Sequence, residues 1–336
     1  MFLELTLQNC QHPLLTQDVV DGFAKQGIRK LRDFLNHTDK DLAALSGLKV
    51  NQVIALRHDL VGKYSGQNRN ALQLINNLKE EILRTGVEKV DAILDGGFKS
   101  GCIYELFGPP SSGKTQMALT VSAVMAVQHK VQSNVIYFDT KGDFKIDRFV
   151  QILQRRNEET KSGISIAKCL DRLRAKKVLD LTELCSSLET IACLVAAGGS
   201  KDKFWSKVNL LVVDNIASFV LPLLYTEDNL KVVFGETAKV ICLLKQLAHD
   251  HNLCILVVNH STLKPGEEGK PSIRQPSLGK IFSSAANTRM LMVREDEQGH
   301  GDILLSLTKT PSLIQSRDEE KKCKVKIEAR GIVGAD

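Results

Sequence analysis

A glycine-rich octapeptide at residues 108–115 has the residue types and the spacing that bind phosphate. It reads Gly-Pro-Pro-Ser-Ser-Gly-Lys-Thr and lies between an apolar run, 102–107, and a helix-like run, 116–128. In such a loop the backbone N–H groups wrap phosphate oxygens, and the N-terminus of the next helix adds partial positive charge. Lys114 would reach the β- and γ-phosphates, and Thr115 would bind Mg²⁺. The octapeptide therefore predicts a P-loop that binds a nucleoside triphosphate.

A second candidate is the carboxylate that closes an apolar run at residues 210–214, Leu-Leu-Val-Val-Asp. If this run is a central strand, Asp214 emerges at its carboxyl end, beside the P-loop. Mg²⁺ keeps several waters and takes few protein carboxylates, so we expect Asp214 to bind the ion through water. The alternative is an acid that only caps the turn into the next helix.

Alternating strand-like and helix-like runs after residue 84 must position these groups. The strand-like runs are apolar on both faces, which predicts a buried, mostly parallel sheet and an α/β fold. Three late strands are predicted to pair antiparallel at the end of this sheet. The predicted strands are 134–139, 175–181, 208–214 and 253–259, the late strands are 288–294, 302–307 and 323–329, and the predicted helices are 144–154 and 230–250.

The first part of the chain predicts a small all-helical domain, residues 1–63. Its apolar residues recur at helical spacing, and the turn Ser46-Gly47-Leu48 resembles the hairpin of helix-hairpin-helix modules. Such hairpins present backbone N–H groups to DNA phosphates, but a bundle used for protein contact fits this nearly neutral segment equally well. Residues 64–83 are predicted to be a linker, and residues 84–336 the core.

Composition argues against a disordered, a disulfide-stabilised or a membrane-spanning protein. With 43% hydrophobic and 25% charged residues the chain is typical of a globular protein, and its net charge of +6 permits nucleic-acid contact without requiring it. The eight cysteines include no Cys-x-x-Cys pair, which indicates reduced thiols in an intracellular protein. The longest apolar run is too short for a bilayer, so no membrane contact is expected.

Together these motifs resemble the eukaryotic and archaeal RecA-like recombinases over nearly the whole chain. The resemblance rests on the helical N-terminal domain, the P-loop followed by Gln116, the strand ending Phe138-Asp139-Thr140, the Asp214 strand and the strand end at 257–260. Its departures are similar to those of the recombinase paralogues, and most of all the D-type. It implies a RecA-like ATPase core with ATP and Mg²⁺ as cofactors.

The resemblance also implies roles for individual residues. In active family members a glutamate that activates the attacking water stands just before a glycine. In this chain the residue before Gly142 is Lys141. If the register shifts by one or two residues, Asp139 or Asp143 takes the position of the glutamate. Weak hydrolysis is therefore expected, and no catalytic residue is assigned. His260 occupies the position of a γ-phosphate sensor, and Arg148 that of an arginine that stacks on adenine. The predicted nucleotide-binding residues are Gly108, Pro109, Pro110, Ser111, Ser112, Gly113, Lys114, Thr115, Gln116 and Arg148.

Two DNA-binding loops of the family map onto this chain by the same resemblance. The first, near residues 221–231, carries Glu227 and Asp228 against Lys231 and is a poor surface for phosphate. The second, residues 261–280, is long, polar and more basic. The predicted DNA-binding residues of this second loop are Lys264, Lys270, Arg274 and Lys280.

The resemblance implies a nuclear mediator or scaffold in recombinational DNA repair. Its partners would be other recombinase paralogues, the recombinase filament and single-stranded DNA. Filament-forming members insert a Phe-x-x-Ala anchor into the next subunit, and no Phe lies between Tyr64 and Arg84. An active strand-exchange recombinase is an alternative that Lys141 disfavours. A small-molecule P-loop kinase would need an arginine-rich lid, and no compact arginine cluster follows the P-loop.

Overall fold

The computed structural model describes residues 6–10, 12–64, 81–128, 132–161, 163–198, 202–226, 230–265, 272–279, 282, 284–295, 301–311 and 321–335. The chain divides into two compact units, residues 1–79 and 80–336, which we call the N-terminal unit and the core unit. The division lies inside the predicted linker 64–83, most of which is outside the described residues. The first strand of the core unit precedes Arg84, where the core was predicted to begin.

The N-terminal unit is a small bundle of helices around its own apolar core. A 3₁₀ turn, Leu7–Asn9, precedes helices α1 (Gln17–Lys25), α2 (Leu31–Asn36), α3 (Asp39–Ser46) and α4 (Val50–Tyr64). Phe23 and Phe34 pack edge to face at a ring-centroid distance of 5.6 Å, with Leu42 and Leu56 fully buried beside them. The Thr38 hydroxyl caps α3, and Gly47 ends it in a left-handed conformation. The turn at residues 46–48 thus joins two helices.

Within the described residues the core unit is built on a ten-stranded sheet in the order β12-β11-β10-β9-β3-β7-β6-β4-β5, with β8 paired to β7 outside this path. Strands β3, β4, β5, β6 and β7 run parallel, β9 joins parallel to β3, and β10 to β12 extend the sheet antiparallel. A separate two-stranded sheet pairs β1 with β2. The strands are β1 (Ile82–Leu83), β2 (Phe98–Lys99), β3 (Ile103–Gly108), β4 (Asn134–Asp139), β5 (Leu173–Lys177), β6 (Val208–Asp214), β7 (Cys254–Lys264), β8 (Ile273–Pro276), β9 (Thr288–Arg294), β10 (Ile303–Lys309), β11 (Lys322–Glu328) and β12 (Gly331–Gly334).

Helices cover both faces of this sheet, so its central strands are buried on both sides. One apolar cluster lies on the face that carries Met117, Phe149 and Leu210, and another on the face that carries Leu211, Leu244 and Leu188. The mixed α/β fold with a mostly parallel sheet, predicted from the apolar runs, is confirmed. The helices are α5 (Glu88–Ile93), α6 (Lys114–Val127), α7 (Ile146–Thr160), α8 (Ile166–Leu170), α9 (Leu181–Ala196), α10 (Ala217–Thr226) and α11 (Leu230–His251).

A buried arginine attaches helix α7 to the last strand and to the segment that precedes α5. Arg156 is only 8% exposed, and its three guanidinium nitrogens donate hydrogen bonds to three backbone carbonyls. The acceptors are Arg330 at 2.9 Å, Gly86 at 2.9 Å and Ile332 at 2.6 Å. Because these carbonyls come from separate parts of the sequence, one side chain holds together segments that the chain order separates.

Several predicted elements differ from those observed. The run 175–181 was predicted as one strand, but β5 begins at Leu173 and ends at Lys177, and Leu181 begins α9 because Asp180 caps that helix. Strand β12 was not predicted. Part of the predicted loop 261–280 is a hairpin, since β7 continues to Lys264 and pairs with β8. In the first predicted loop the described residues are helical: 221–226 end α10 and 230–231 begin α11.

Among the described residues, no helix is long and apolar enough to cross a bilayer. The same part of the chain holds no group of three or more His, Cys, Asp or Glu side chains arranged to bind a metal ion.

Candidate functional site

The strand register brings the predicted site residues to one edge of the core sheet. Gly108 at the end of β3 pairs with His260 on β7, and Asp139 at the end of β4 pairs with Asp214 at the end of β6. Because β3, β7, β6 and β4 are neighbours and run parallel, their carboxyl ends meet at the same edge. Groups that lie more than 100 residues apart in sequence, such as Gly108 and His260, thus become adjacent.

The loop between β3 and α6 has a backbone that only glycine permits at two points. Gly113 has φ of +92° at the start of α6, and a Cβ there would lie 2.9 Å from Ile303 Cδ1. At Gly108 a Cβ would collide with the Met292 carbonyl oxygen, so the loop passes directly against β9. This tight backbone brings the N-terminus of α6, whose first N–H groups have no partner inside the helix, to the carboxyl end of β3.

Lys114 folds back over this loop. Its ammonium donates to the carbonyl oxygens of Gly108 at 3.0 Å and Pro109 at 2.6 Å, and to the Ser112 hydroxyl at 3.2 Å. Burial, opposed by the charge of Asp214 and reinforced by that of Lys141, lowers the pKa of Lys114 to about 8. A buried ammonium bound only to neutral oxygens is a strong site for an anion.

Asp214 lies beside this loop and is almost fully buried. Its carboxylate accepts a 2.7 Å hydrogen bond from the Tyr137 hydroxyl and another from the Thr115 hydroxyl. Burial raises the pKa of Asp214, while these two hydrogen bonds lower it and the nearby Asp139 raises it. Oxygen donors from Thr115 and Asp214 in one place could hold a hard cation such as Mg²⁺. Sequence reasoning missed Tyr137, whose signal is a polar group inside the otherwise apolar strand β4.

Asp139, considered above as a substitute for the missing glutamate, is occupied by the backbone of its own turn. Its carboxylate accepts hydrogen bonds from the N–H groups of Lys141, Gly142, Asp143 and Phe144 at 2.8 to 3.1 Å. The exposed Asp143 is a second alternative, and its charge helps to raise the pKa of Asp214 and of Tyr137, in both cases less than burial does. Asp139 shapes the turn, and Lys141 projects from it.

Lys141 contacts the predicted phosphate sensor. Its ammonium lies 3.0 Å from His260 Nε2, which also lies 3.0 Å from Asn215 Nδ2. The Asn215 amide is oriented by its oxygen, which accepts from Ala217 N at 2.8 Å, so its nitrogen faces the ring. Nε2 thus receives two donors and the imidazole is neutral, with its proton on Nδ1. Burial, Lys141 and Lys114 together lower the pKa of His260 to about 4.

Arg148 lies beside the first turn of α6, but its donors are engaged. The guanidinium donates to Gln116 Oε1 at 2.9 Å and to the carbonyls of Glu328 at 2.7 Å and Ala329 at 3.0 Å. These contacts fix the arginine against the turn between β11 and β12. Gln116, the last residue predicted to bind nucleotide at the P-loop, serves here as the acceptor that orients Arg148.

The family model described as Rad51 matches residues 79–335. The chain belongs to the Rad51 family. It is 32% identical over 311 residues to "DNA repair protein RAD51 homolog 4" of Bos taurus, covering 90% of both chains. The protein of that name from Mus musculus is 29% identical over 309 residues, 89% of this chain and 88% of its own. "Meiotic recombination protein DMC1 homolog A" of Oryza sativa subsp. japonica is 26% identical over 290 residues, 83% of this chain and 80% of its own.

The family that the motifs indicated is therefore confirmed, including the similarity to the D-type paralogues. The Rad51 family match begins at residue 79, at the boundary between the N-terminal unit and the core unit. All residues described above at the sheet edge lie inside the matched range.

In this Rad51-family chain the second predicted DNA loop begins as a β-hairpin. Lys264 on β7 pairs with Ile273 on β8, and Leu263 pairs with Arg274. Lys264 is exposed and Arg274 half-buried, while Leu263 and Ile273 are 57% and 65% exposed. The described part of the hairpin therefore presents cations beside apolar side chains. Lys270 and Lys280 lie outside the described residues, as do Glu227 and Asp228 of the first loop.

A buried polar network joins this hairpin to the sheet edge described above. Asn259 Oδ1 accepts from the His260 backbone N–H at 2.7 Å and from the Ser277 hydroxyl at 2.9 Å. Its amide nitrogen donates to Glu105 Oε1 at 2.7 Å, and Arg289 Nε donates to Glu105 Oε2 at 2.6 Å. Burial raises the pKa of Glu105, against the hydrogen bond from Asn259 and the charge of Arg289. The backbone N–H of His260, the predicted phosphate sensor, and the hydroxyl of Ser277, the residue after β8, thus share the Asn259 side-chain oxygen as acceptor.

Proposed function

We propose that this chain is an ATP-binding recombinase paralogue that acts in homologous-recombination DNA repair. In this proposal it is a nuclear subunit of a heteromeric paralogue complex that binds single-stranded DNA and assists assembly of the recombinase filament. The names of its relatives, a DNA repair protein and a meiotic recombination protein, support the process. The observation that carries the proposal is the meeting of Lys114, Asp214 and Lys141 at one edge of a Rad51-family core.

The proposed cofactors are ATP and Mg²⁺, and the residues present fit them. Gly108 and Gly113 allow the tight loop that a Cβ would block, since it would collide with Met292 or Ile303. Lys114 folds over this loop with no acidic partner among its described hydrogen bonds. Thr115 and Asp214 would hold the metal, partly through water, and Arg148 would stack on the adenine. The metal ion, when bound, supplies positive charge to the β- and γ-phosphates.

ATP hydrolysis by the isolated chain is proposed to be slow. Position 141 carries an ammonium, which cannot accept a proton from water, and the neighbouring Asp139 accepts four backbone hydrogen bonds instead. General-base assistance contributes about 10²- to 10⁴-fold to a rate. Asp143 or a carboxylate from a partner subunit would have to supply it. The same substitution disfavours the alternative of an active strand-exchange recombinase.

Single-stranded DNA is proposed to contact the hairpin of β7 and β8 rather than the first loop. Lys264 and Arg274 supply charge for phosphates, and the exposed Leu263 and Ile273 supply apolar surface for bases. Lys270 and Lys280 complete the predicted set.

The two units are proposed to engage different paralogues. Residues 1–63 would dock one partner, and the nucleotide-binding edge another, because a chain of unlike subunits needs two distinct surfaces. Bound nucleotide would then strengthen only the second contact. Truncation to residues 84–336 should lose one partner and keep the other, whereas Lys114→Ala should weaken the ATP-side contact alone. Pull-downs in which both changes abolish the same partner would refute this arrangement.

The central test is equilibrium titration of the full chain with Mg-ATP, paired with isolation of the tagged protein from its own cells. We expect saturable Mg-ATP binding that Lys114→Ala abolishes, turnover well below that of a proficient family ATPase, and co-purification of other recombinase paralogues from the nuclear fraction. Absence of nucleotide binding, or rapid turnover, would contradict the proposal.

A further inference from the structure

The side chain of Lys141 carries a positive charge that the described protein does not neutralise. Its ammonium bonds to the neutral imidazole of His260 and, among the described residues, forms no ion pair with a carboxylate. Asp139, an acid in the same turn, directs both carboxylate oxygens to backbone N–H groups. An ammonium that contacts only a neutral acceptor keeps its charge available to bind an anion from outside the protein.

Two ammonium groups flank one strand pair at the sheet edge. Lys114 bonds to the carbonyl of Gly108 on β3, and Lys141 bonds to the ring of His260 on β7. Gly108 and His260 are paired across these strands, which lie about 4.8 Å apart. The charge of Lys141 adds to burial in lowering the pKa of Lys114, and both lysines add to burial in lowering the pKa of His260. Two repelling cations on either side of a phosphate loop favour a ligand of high negative charge.

We propose that Lys141 is a phosphate-binding residue that recognises the terminal phosphate of a nucleoside triphosphate. The lysine thereby makes this chain prefer triphosphate over diphosphate by direct contact, at the position where hydrolysing relatives would need a carboxylate. The inference rests on the proposed function, since it requires that the loop around Lys114 binds a nucleotide. His260 holds the ammonium in place before the nucleotide binds, which reduces the entropy lost on binding.

The preference for a triphosphate over a diphosphate follows from whether a phosphate reaches the ammonium of Lys141. A diphosphate bound at the loop satisfies Lys114, whereas the third phosphate adds a charge-assisted hydrogen bond to Lys141. A bond of this kind contributes enough to change a dissociation constant about 10- to 100-fold. Removal of the charge at 141 should therefore weaken triphosphate binding by this factor and change diphosphate binding less than about threefold.

The test is titration of the full chain with Mg-ATP and with Mg-ADP, with the ratio of the two dissociation constants as the readout. Lys141→Gln removes the charge and nearly keeps the length of the side chain. Lys145→Gln is the matched control, because it makes the same charge change in the same turn, where Lys145 Nζ donates to the Gly142 carbonyl at 3.2 Å. Lys141→Arg keeps the charge and should preserve the preference for ATP.

The outcomes are distinct. Loss of the ATP preference in Lys141→Gln, with normal preference in Lys145→Gln and Lys141→Arg, supports the inference. An unchanged ratio in Lys141→Gln overturns it, and so does an equal loss in both glutamine variants, which would show long-range electrostatics only. If the wild type binds neither nucleotide, the proposed function fails together with this inference. If it binds both nucleotides equally, only the inference fails. Should Lys141→Gln not fold, loss of the preference in Lys141→Arg would count against the inference and its retention in favour of it.

Discussion

The buried guanidinium of Arg156 offers a sharp test of what holds the core unit together. Arg156→Met keeps most of the volume of the side chain but removes hydrogen bonds to three backbone carbonyls, those of Gly86, Arg330 and Ile332. Leaving a buried polar group unpaired costs about 1–3 kcal/mol. Because water can reach part of this site, we expect a loss of about 3 kcal/mol in the free energy of unfolding.

The matched control is the preceding residue on the same helix. Arg155 is 60% exposed and pairs with Glu158 at 3.2 Å on the surface. Exposed pairs of this kind contribute little, so Arg155→Met should change stability by less than about 0.5 kcal/mol. Both variants lose one positive charge and gain one methionine. The difference between their free energies of unfolding therefore reports the burial of Arg156 and its hydrogen bonds to the carbonyls.

The assay is denaturant unfolding followed by tryptophan fluorescence. The sequence contains one tryptophan, Trp205, and it lies in the core unit, so the signal reports on that unit alone. In a thermal scan the same loss would lower the melting temperature by about 6–12 °C. A shift below about 1 kcal/mol for Arg156→Met, or equal shifts for both variants, would refute the reasoning that this arginine joins α7 to β12.

Three further outcomes are expected. Lys141→Glu should raise turnover at saturating Mg-ATP above that of both the wild type and Lys141→Ala, measured by phosphate release. Folding lowers the pKa of His260 from 6.5 to about 4, so the unfolded chain binds this proton more readily than the folded chain. The stability that the neutral imidazole contributes is therefore complete above about pH 6.5 and is lost as the pH falls toward 4. In His260→Gln, the free energy of unfolding should lack this dependence on pH. DNA titrations over a salt series should show that the chain prefers single strands. Neutralising four cations should flatten the slope of log K against log salt concentration by about 3 units, and an unchanged affinity would exclude the second loop as the binding site. These cations are Lys264, Lys270, Arg274 and Lys280.

The fold was predictable where burial and chain order carry the signal together. Strand β6 was predicted at its observed bounds because four consecutive apolar residues, 210–213, end in the acid Asp214. Strand β7 was predicted only to Asn259, because the apolar run stops there while the strand continues to Lys264. Its last residues are exposed and owe their extended form to backbone pairing with β8, which leaves no mark in side-chain periodicity.

The candidate site was predictable only in its sequence-local parts. The loop at residues 108–115 and the strand ending in Asp214 are contiguous motifs, so their chemistry can be read in order. Tyr137 and Asn259 could not be predicted, because their partners Asp214 and Glu105 lie 77 and 154 residues away. The same holds for the contact of Lys141 with His260, which spans 119 residues. Such pairs exist only once the strand order is known.

The turn after β4 has a consequence for how this protein can change over evolution. Its backbone is fixed by the Asp139 carboxylate, through N–H groups that every residue type except proline possesses. The side chain at position 141 projects outward and takes no part in that support. A mutation at 141 can therefore exchange one chemistry for another with almost no penalty in folding. A lineage could exchange an ammonium for a carboxylate at this position through a single codon, without first gaining stability elsewhere.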